Sequence, residues 1–491
     1  MRAWIAVALL GHGAGVAAQS PGIPPLALSS PVPFAEPSVA RPAERTQPIN
    51  LATAMHLAGA SPIDVQIAAR QVELSAKAYD RAKLLWLPNI STGVDYFHHD
   101  GLQQNFAGDL VSSSRSSAMV GFGPNVVFGV TDAIYSPLAA RQDVRARRAV
   151  LQAVTNDTAF QVADAYFTLQ QARGELSGAA YATQQAEEVS RRAARLAEGL
   201  APPLEATRAK VELARRRQAE STALERRAVA SAELARLLRL DAGAVLEPAE
   251  PTFLPVTVID AGATVDALIP VALTSRPELA GQQAVVQAAL VRLKQEKIRP
   301  LVPSVALRSV STNPSGSLGS GAFGGGQGGT VGNFRGRYDV DLQIMWEFQQ
   351  LGFGNKIRAG ERKVEYEVAI LELFRTQDRV AAEVSTAHAQ TRAAADRLAL
   401  AEPALRDAVE LVQKSLDGLG QTRRTGEFVA LIVRPQEVVA AVQLLAQTNA
   451  DFHAAVGDYN RAQFRLYRAL GHPSGALPST VAPPGQAGPA N

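Results

Sequence analysis

The sequence has no cysteine, few aromatic residues and almost no net charge, and each shortage excludes a class of protein. Without cysteine the chain can form no disulfide, no thiolate metal site and no thiol-linked lipid anchor. A net charge of +3, with acidic and basic residues intermixed, provides no basic face for nucleic acid. Because aromatic residues are only 6% of the chain, we predict closely packed, alanine-rich helices rather than a large aromatic core.

The sequence also lacks the run of about 20 apolar residues that a transmembrane helix needs. Residues 1–18 instead combine Arg2, a short apolar segment and small residues at the end, which is the pattern of a secretory signal peptide. An N-terminal membrane anchor is the alternative. Residues 19–48 and 472–491 are rich in Pro and small residues, so we predict a disordered leader and tail. Export without a spanning helix leaves the periplasm or an outer-membrane barrel.

Two similar halves follow each other along the chain. "SPIDVQIAARQVELSAKAYDRAKLLWLPNISTG" and "RPELAGQQAVVQAALVRLKQEKIRPLVPSVALR" each contain a Pro that opens an amphipathic helix, Pro62 and Pro277, because Pro suits the first turn. A second Pro follows at the same spacing and ends the helix, and a strand-like run comes next. The matched spacing predicts an internal repeat, with one copy in residues 49–260 and the other in residues 261–471.

Each repeat contains two predicted strands after its first helix. They cover about residues 89–99, 118–135, 304–312 and 337–349. The Gly-rich stretch before the last strand contains no G-K-[ST] and precedes no helix, so a phosphate-binding loop is excluded. We predict a mobile loop that joins two strands.

The segment "RYDVDLQIMWEF" alternates strictly between apolar and polar residues, as a strand with two different faces does. Its ten steps span about 33 Å, or about 25 Å of height when tilted, which matches the apolar band of an outer-membrane barrel. The pattern predicts a lipid-facing girdle of Tyr338, Trp346 and Phe348. It predicts that Asp339, Asp341 and Gln343 face a barrel lumen, where the carboxylates favour cations. A soluble sheet covered by helices is the alternative.

Four strands are too few to close a barrel, since the smallest membrane barrels have about eight. Open strand edges are not tolerated in lipid, so several chains would have to share one barrel. After each strand pair come two long helices whose small and apolar residues step by three and four, as in a coiled coil. The predicted helices cover about residues 139–199, 204–240, 355–419 and 427–470. Pro403 and Pro435 are predicted to interrupt and kink the second pair.

This arrangement resembles the TolC-like outer-membrane efflux proteins over residues 49–471. The matching pieces are "INLATAMHLAGASP", "VDALIPVALTSRPEL", "QVADAYFTLQQARGEL" and "AVGDYNRAQFRLYRALG", in that order. The resemblance implies a mainly α fold with a small β part, in a homotrimer with one shared twelve-stranded barrel and a helical periplasmic tunnel. It implies a passive exit duct in outer-membrane lipid. The implied partners are a periplasmic adaptor protein and an inner-membrane transporter of the RND or ABC type.

The resemblance also points to functional positions at the two tips of the helical hairpins. Contact with the adaptor is implied for Gly199, Pro202, Pro203, Gly426 and Glu427. Pro202 and Pro203 replace the small polar residues usual in the first tip, and a tip glycine can adopt the positive φ of a sharp turn. A tunnel constriction is implied for Asp417, with Arg423 or Arg424 as its partner. The alternative is that these three are solvated charges, because surface ion pairs contribute little.

No catalytic, cofactor-binding or metal-binding constellation is found in the sequence. His98 and His99 are adjacent on a predicted strand and therefore face opposite ways, which does not suit shared coordination of a metal. No Ser/His/Asp grouping or H-E-x-x-H motif is present, so an enzyme is not predicted. Two functional hypotheses remain, a trimeric transport duct and a periplasmic coiled-coil scaffold without a pore.

Overall fold

The computed structural model describes residues 46–59, 62–87, 89–241, 243–260, 262–308, 320–425 and 428–471. The predicted signal peptide, the leader up to residue 45 and the C-terminal tail lie outside this part. The first described element is strand β1 (Thr46–Ile49), which pairs in parallel with β4 (Val245–Pro248). Residues 46–48, the end of the leader predicted to be disordered, are therefore ordered by pairing with a strand two hundred positions later.

Eight helices lie within the described residues. They are α1 (Leu51–Ala58), α2 (Ile63–Lys83), α3 (Val130–Leu196), α4 (Pro203–Leu238), α5 (Val265–Ser275), α6 (Pro277–Ile298), α7 (Phe353–Gly418) and α8 (Pro435–Ala469). Pro403 lies inside α7, but Pro435 is the first residue of α8, so the prediction that Pro435 interrupts a helix is wrong. Its missing N–H costs nothing in the first turn, which explains why it begins the helix. None of these described helices has an apolar stretch long enough to cross a membrane.

The long helices pack side by side through small residues. At the end nearest the sheet, α3 lies between α2 and α6, and α6 lies between α3 and α7. Farther along, α3 packs against α4 and α8, and α7 packs against α8. Gly174 and Gly178 of α3 make this approach possible, because a Cβ atom there would overlap with His453 and Asn449 of α8. The largest apolar cluster surrounds Tyr166, where ring contacts join α3 to the end of α8.

The main sheet is four strands wide. In two of these four positions, two shorter strands follow each other along the same line, so the sheet contains six strands. The six strands are β2 (Asn89–Gln104), β3 (Leu110–Gly129), β5 (Ser304–Arg308), β6 (Ser320–Gln327), β7 (Gly332–Tyr338) and β8 (Asp341–Met345). One edge of β3 pairs with β2, and the other edge pairs first with β6 and then with β5. Strand β7 pairs with β6 and β8 with β5, all antiparallel.

Several predicted strand boundaries are wrong. Residues 130–135 begin α3 instead of ending a strand. The single strand predicted for 337–349 is broken at residues 339–340, because its two parts pair with different partners. From residue 320 onward the Gly-rich stretch is mostly paired strand, β6 and β7, rather than a mobile loop. Residues 309–319, which include the end of the strand predicted for 304–312, lie outside the described residues. Gly321 of β6 pairs with Gly121 of β3, and a Cβ atom on either residue would overlap with the backbone of the other strand. The close approach of the two strands therefore requires glycine at this position.

Candidate functional site

One face of the main sheet is apolar and uncovered. Along the last strand position, Tyr338 is 81% exposed and Leu342 is 63% exposed, while Asp341 and Gln343 on the other face are only partly exposed. This difference follows the period of two predicted from the sequence. A contiguous exposed apolar patch on a folded chain marks a contact surface for lipid or protein.

Strand pairing carries this apolar face across the sheet. Ile344 is paired with Val305, and Val305 is paired with Phe128. The row ends at Trp86, whose ring lies 4.9 Å from the ring of Phe128. Trp346 belongs to the same face two residues beyond Ile344 and is also exposed. Two tryptophans therefore border the apolar face at the end where the sheet joins the helices.

Aromatic side chains also border the apolar face at its other end. Tyr96 of β2 is exposed there and pairs with Ala118 of β3. Phe334 of β7 is exposed as well and packs over Gly324, which pairs with the same Ala118. The predicted girdle residues Tyr338, Trp346 and Phe348 are exposed, but Tyr338 lies between the two aromatic borders rather than at the outer one.

The opposite face carries the predicted lumen residues. Asp339 forms an ion pair of 2.6 Å with Arg337, and the amide of Gln343 donates to the Asp341 carboxylate at 2.8 Å. The guanidinium of Arg337 also lies 5.0 Å from the ring of Phe323 on the neighbouring strand. The charge of Asp339 is thus compensated within the chain, whereas the bond described for Asp341 comes from the neutral amide of Gln343.

The two adjacent histidines of β2 do not act together. Nδ1 of His98 lies 2.8 Å from Oγ of Ser116, whereas His99 faces the other side of the sheet. In the part of the chain that the structure describes, no group of three or more metal-ligating side chains comes together.

The first tip joins α3 to α4 through a short turn. Gly199 lies in this turn but does not have a positive φ, and no atom lies within 4 Å of where its Cβ would be. The positive φ expected for this glycine is therefore not observed. The turn is instead closed by the Leu196 carbonyl, which accepts from the backbone amides of Leu200 and Ala201 at 2.8 Å. Pro202 is the residue before α4 and Pro203 is its first residue, where fixed φ angles favour an abrupt start.

The second tip contains a small antiparallel pair rather than a direct helix-to-helix turn. Strands β9 (Thr422–Thr425) and β10 (Phe428–Leu431) pair with each other, and Arg423 and Arg424 lie on β9. Gly420 has a positive φ near this tip. Gly426 and Glu427 lie outside the described residues.

The candidate constriction residues are not joined to one another in the described part of a single chain. Asp417 is exposed on the last turn of α7, and its backbone carbonyl accepts a bond of 2.9 Å from the Gln421 amide. Arg423 is also exposed. Sequence reasoning missed Arg192 of α3, which donates to the Leu416 carbonyl at 2.8 Å and ties the two helical hairpins together beside Asp417.

A second polar contact between the hairpins was also missed. Glu212 of α4 is buried, and it accepts a bond of 2.7 Å from Gln443 of α8. Arg216, one turn further along α4, lies 2.7 Å from the same carboxylate. The signal in the sequence is weak, because α4 contains many similar Arg and Glu residues and only packing distinguishes the buried ones.

The largest set of missed residues fixes the linker between the repeats. We call residues 247–259 the linker belt, because side chains from α3 and α8 hold its backbone. Asn460 accepts from Val256 N at 2.7 Å and donates to Leu254 O at 3.2 Å. Gln463 accepts from the amides of Val258 and Ile259. Both side chains are fully buried, so these bonds satisfy linker groups that water cannot reach.

Side chains of α3 hold the first part of the linker belt. Gln170 donates to the Pro251 carbonyl at 2.6 Å, and Arg173 forms an ion pair of 3.1 Å with Glu247. The hydroxyl of Tyr166 donates to Glu250, whose other oxygen accepts from Leu51 N at 2.9 Å. Burial and then the Glu250 carboxylate raise the pKa of Tyr166 far above its usual value. The motif "QVADAYFTLQQARGEL" is thus a binding surface for the linker belt.

An ionic network joins four helices near the linker belt. Arg276 is only 3% exposed and pairs with Glu278 and with Glu383 of α7. Arg468 of α8 bonds Asp157 of α3 at 2.7 Å and Glu383 at 3.1 Å. Burial lowers the pKa of Arg468, but these carboxylates together raise it above its ordinary value.

The described fold matches solved outer-membrane channels. No model of a known protein family and no curated protein matches the sequence. The CmeC outer membrane channel of Campylobacter jejuni matches with a TM-score of 0.69 and 13% identity, over 86% of this chain and 85% of that chain. VceC from Vibrio cholerae matches at 0.67 and 14%, over 86% and 96%. The MtrE outer membrane channel of Neisseria gonorrhoeae matches at 0.65 and 18%, over 86% and 89%.

At these identities the likeness concerns the fold. The chain folds as these bacterial outer-membrane channels do, and the resemblance drawn from the sequence is confirmed for the fold.

Proposed function

We propose that this protein is the outer-membrane exit duct of a multicomponent efflux or secretion system. It would extend into the periplasm and conduct substrates passively from an inner-membrane transporter and a periplasmic adaptor. The observation that carries the proposal is the uncovered apolar face of the main sheet, bordered by aromatic residues at both ends. The solved channels of the same fold support it. The alternative, a periplasmic scaffold without a pore, has no observation in its favour.

The height of the apolar face suits a bilayer. Along β3, Ala118 pairs with Tyr96 and Phe128 contacts Trp86, and the ten strand steps from Ala118 to Phe128 span about 33 Å. A tilt near 40° reduces this to about 25 Å, the height of the apolar band on outer-membrane barrels. We therefore place Tyr96 and Phe334 at the outer border and Trp86, Trp346 and Phe348 at the inner border.

The open sheet edges support a homotrimer. Within the described residues, β2 pairs only with β3, and β7 and β8 each pair on one side only. Open edges are not tolerated in lipid, so the free edge of one copy would pair with the opposite edge of the next. Four strand positions from each of three copies would form the twelve-stranded barrel. The two repeats, residues 49–260 and 261–471, would each supply two positions.

The outer helices of the packed layer support the same assembly. Helices α2 and α7 are at opposite ends of the order α2, α3, α6, α7, and both carry apolar residues that are exposed in one chain. These residues are Ile63, Ile67 and Leu74 on α2, and Ile357, Val364, Val368 and Leu371 on α7. Contact between α2 of one copy and α7 of the next would bury both stripes and close a ring.

The tips are the proposed contact with the adaptor and the proposed constriction. Gly199, Pro202 and Pro203 form the first contact, and Gly426 and Glu427 the second. In a trimer, Asp417 from three copies would form an acidic ring, and Arg423 or Arg424 would pair with neighbouring helices to hold it closed. In the barrel, Asp341 would favour cations, since Arg337 compensates Asp339.

Native mass measurement and a matched pair of variants test the proposal. A particle of three chains that needs detergent for extraction is expected. Leu342→Arg places a charge on the exposed apolar face and should block membrane assembly, at a cost of about 2–4 kcal/mol at the bilayer midplane. Gln343→Arg places the same charge on the polar face and should assemble normally. Release of a monomer or dimer without detergent, or equal assembly of both variants, would contradict the duct and favour the scaffold.

A further inference from the structure

The inner border of the apolar face continues onto three short turns that connect the sheet to the helices. These are 3-10 turns at Leu84–Trp86, Arg299–Leu301 and Gln349–Gly352, and we call them the junction turns. The first follows α2 and leads to β2, the second follows α6 and leads to β5, and the third joins the last strand segment to α7. They therefore lie at the same end of the sheet.

Bulky apolar side chains of the junction turns are uncovered. Leu84, Trp86, Leu301 and Leu351 are all exposed, and Leu351 reaches 92%. Trp86 packs against Phe128, which belongs to the apolar face and not to the polar face. The first junction turn thus extends the apolar face toward the helices instead of lining the polar side.

The third junction turn has an unusual backbone conformation at and around its exposed leucine, Leu351. Gln350 and Leu351 have φ of 44° and 59°, and Gly352 follows at 92°. Two consecutive residues other than glycine in the left-handed region are rare, because the Cβ crowds the next carbonyl. In water, exposure of the Leu351 side chain would be unfavourable, whereas its transfer into a membrane would lower the free energy.

Basic side chains without partners lie just beyond the junction turns. Arg81, Lys297, Lys356 and Arg358 are exposed, and no ion pair is found for them among the described residues. The nearby carboxylates of Asp132 and Glu296 form ion pairs with Arg299 and not with these four basic residues. Asp80 likewise pairs with Lys83, and the exposed Glu361 lies one turn farther along α7. A positive collar therefore adjoins the apolar turns.

Arg81 and Lys297 lie in the last turns of α2 and α6, where the helix dipole favours positive charge, but the two collar residues of α7 lack this support. Lys356 and Arg358 lie in the first two turns of α7, where the helix dipole disfavours positive charge, and the first turn of α7 contains no acidic residue. An anionic ligand would relieve this conflict. Apolar residues and tryptophan beside a row of basic residues are the composition of a surface that lies in a membrane interface.

We propose that the junction turns and the basic collar bind anionic phospholipid headgroups of the leaflet nearest the helices. Trp86 and Leu351 enter the region between headgroups and acyl chains, and the collar contacts the lipid phosphates. The inference rests on the proposed function, because it requires the sheet to span a membrane. It adds the depth at which the chain stops in the membrane and the lipid chemistry recognised there.

Depth-dependent quenching of the two tryptophans tests the position of the turns. Outside the predicted signal peptide the chain has Trp86 and Trp346, so Trp346→Phe leaves Trp86 as the probe and Trp86→Phe leaves Trp346. Each variant is reconstituted in vesicles of phosphatidylcholine and phosphatidylglycerol, brominated either near the headgroup or near the methyl end of the acyl chain. We expect both tryptophans to be quenched more strongly by the bromine near the headgroup.

The outcomes separate the inference from the proposed function. Quenching of Trp346 but not of Trp86 would overturn the inference and leave the membrane-spanning sheet intact. Absence of quenching for both would contradict the proposed function and the inference together. Stronger quenching of Trp86 by deep bromine would also overturn the inference, because it would place the junction turn in the acyl region.

The charge requirement is tested with paired double variants. Lys356→Gln with Arg358→Gln should reduce the phosphatidylglycerol retained by the detergent-extracted protein, by about fivefold for each charge that contacts phosphate. Lys210→Gln with Arg215→Gln removes the same two charges from α4, far from the sheet, and should leave retention unchanged. Retention is measured by native mass spectrometry. Equal losses in both double variants, or no loss in either, would overturn the collar's role.

Discussion

The bond between Asn460 and the linker belt allows a quantitative prediction. Asn460→Ala removes the acceptor of Val256 N and the donor to Leu254 O. Asn460 is fully buried while Leu254 and Val256 are partly buried, so both backbone groups would lose their partner where access of water is restricted. Each such group costs about 1–3 kcal/mol, and we therefore expect local opening of the linker to become easier by roughly 2–6 kcal/mol.

Amide hydrogen exchange measures this opening directly. A change of roughly 2–6 kcal/mol corresponds to exchange of the linker amides that is faster by about thirtyfold to about twenty-thousandfold. Asn449→Ala is the matched control, since it makes the same substitution on the same helix. The Oδ1 of Asn449 is buried but has no hydrogen-bond partner, so its removal should change linker exchange by less than about threefold.

Two results would refute the reasoning. Unchanged exchange in Asn460→Ala would mean that the two bonds do not limit opening of the linker belt. An equal increase in Asn449→Ala would mean that any disturbance of α8 loosens the linker, without a specific role for the buried amide.

Three further predictions concern the rest of the chain. Burial lowers the pKa of His453 below its ordinary value of 6.5, so the folded state favours the neutral ring. Because the unfolded chain then binds the proton more readily, the free energy of unfolding should fall as the pH drops below about 6.5. A His453→Gln variant should show a flatter dependence of Tm on pH. Gly121→Ala should prevent assembly of a heat-stable particle, as read on a native gel, because the new methyl group meets facing backbone, whereas Gly336→Ala has open space and should assemble. Arg276→Met should lower the free energy of unfolding, measured by denaturant titration, by about 3–5 kcal/mol, because it removes one partner of a buried ion pair. Arg70→Met should lower it by less than about 1 kcal/mol, because the Arg70 side chain is 83% exposed in its ion pair with Glu73.

The sequence predicts the elements whose pattern is local. The alternation from Tyr338 to Ile344 correctly predicts which residues are exposed, because strand geometry alone assigns alternate residues to opposite faces. Beyond Ile344 the prediction fails, because β8 ends at Met345 and residues 345–348 are all exposed. The three- and four-residue steps likewise predict the long helices, although α3 and α7 begin before the predicted starts. The last helix, α8, begins at Pro435 instead of about residue 427, because residues 428–431 form strand β10. Glycine misleads where packing decides: Gly321 and its neighbours read as a loop, but their missing side chains allow β3 and β6 to approach closely.

The sequence does not reveal contacts between residues far apart in the chain. Asn460 and Gln463 look like ordinary polar residues of an amphipathic helix, and only the fold brings the linker belt to them. The break of the last strand at residues 339–340 arises in the same way, because β6 and β5 reach it from different parts of the chain. For the tips, a single chain brings Arg192 to Leu416 but does not bring Asp417 to Arg423.

The linker belt also gives α8 the mechanical character of a lever. Asn460 fixes the helix at one level, and Pro435, where the helix begins beside the second tip, is about 25 residues away, or about 37 Å at 1.5 Å per residue. A tilt of about ten degrees around the fixed level would displace the beginning of the helix by about 6 Å. Small adjustments of side-chain packing beside the belt would therefore become movements of side-chain size at the second tip.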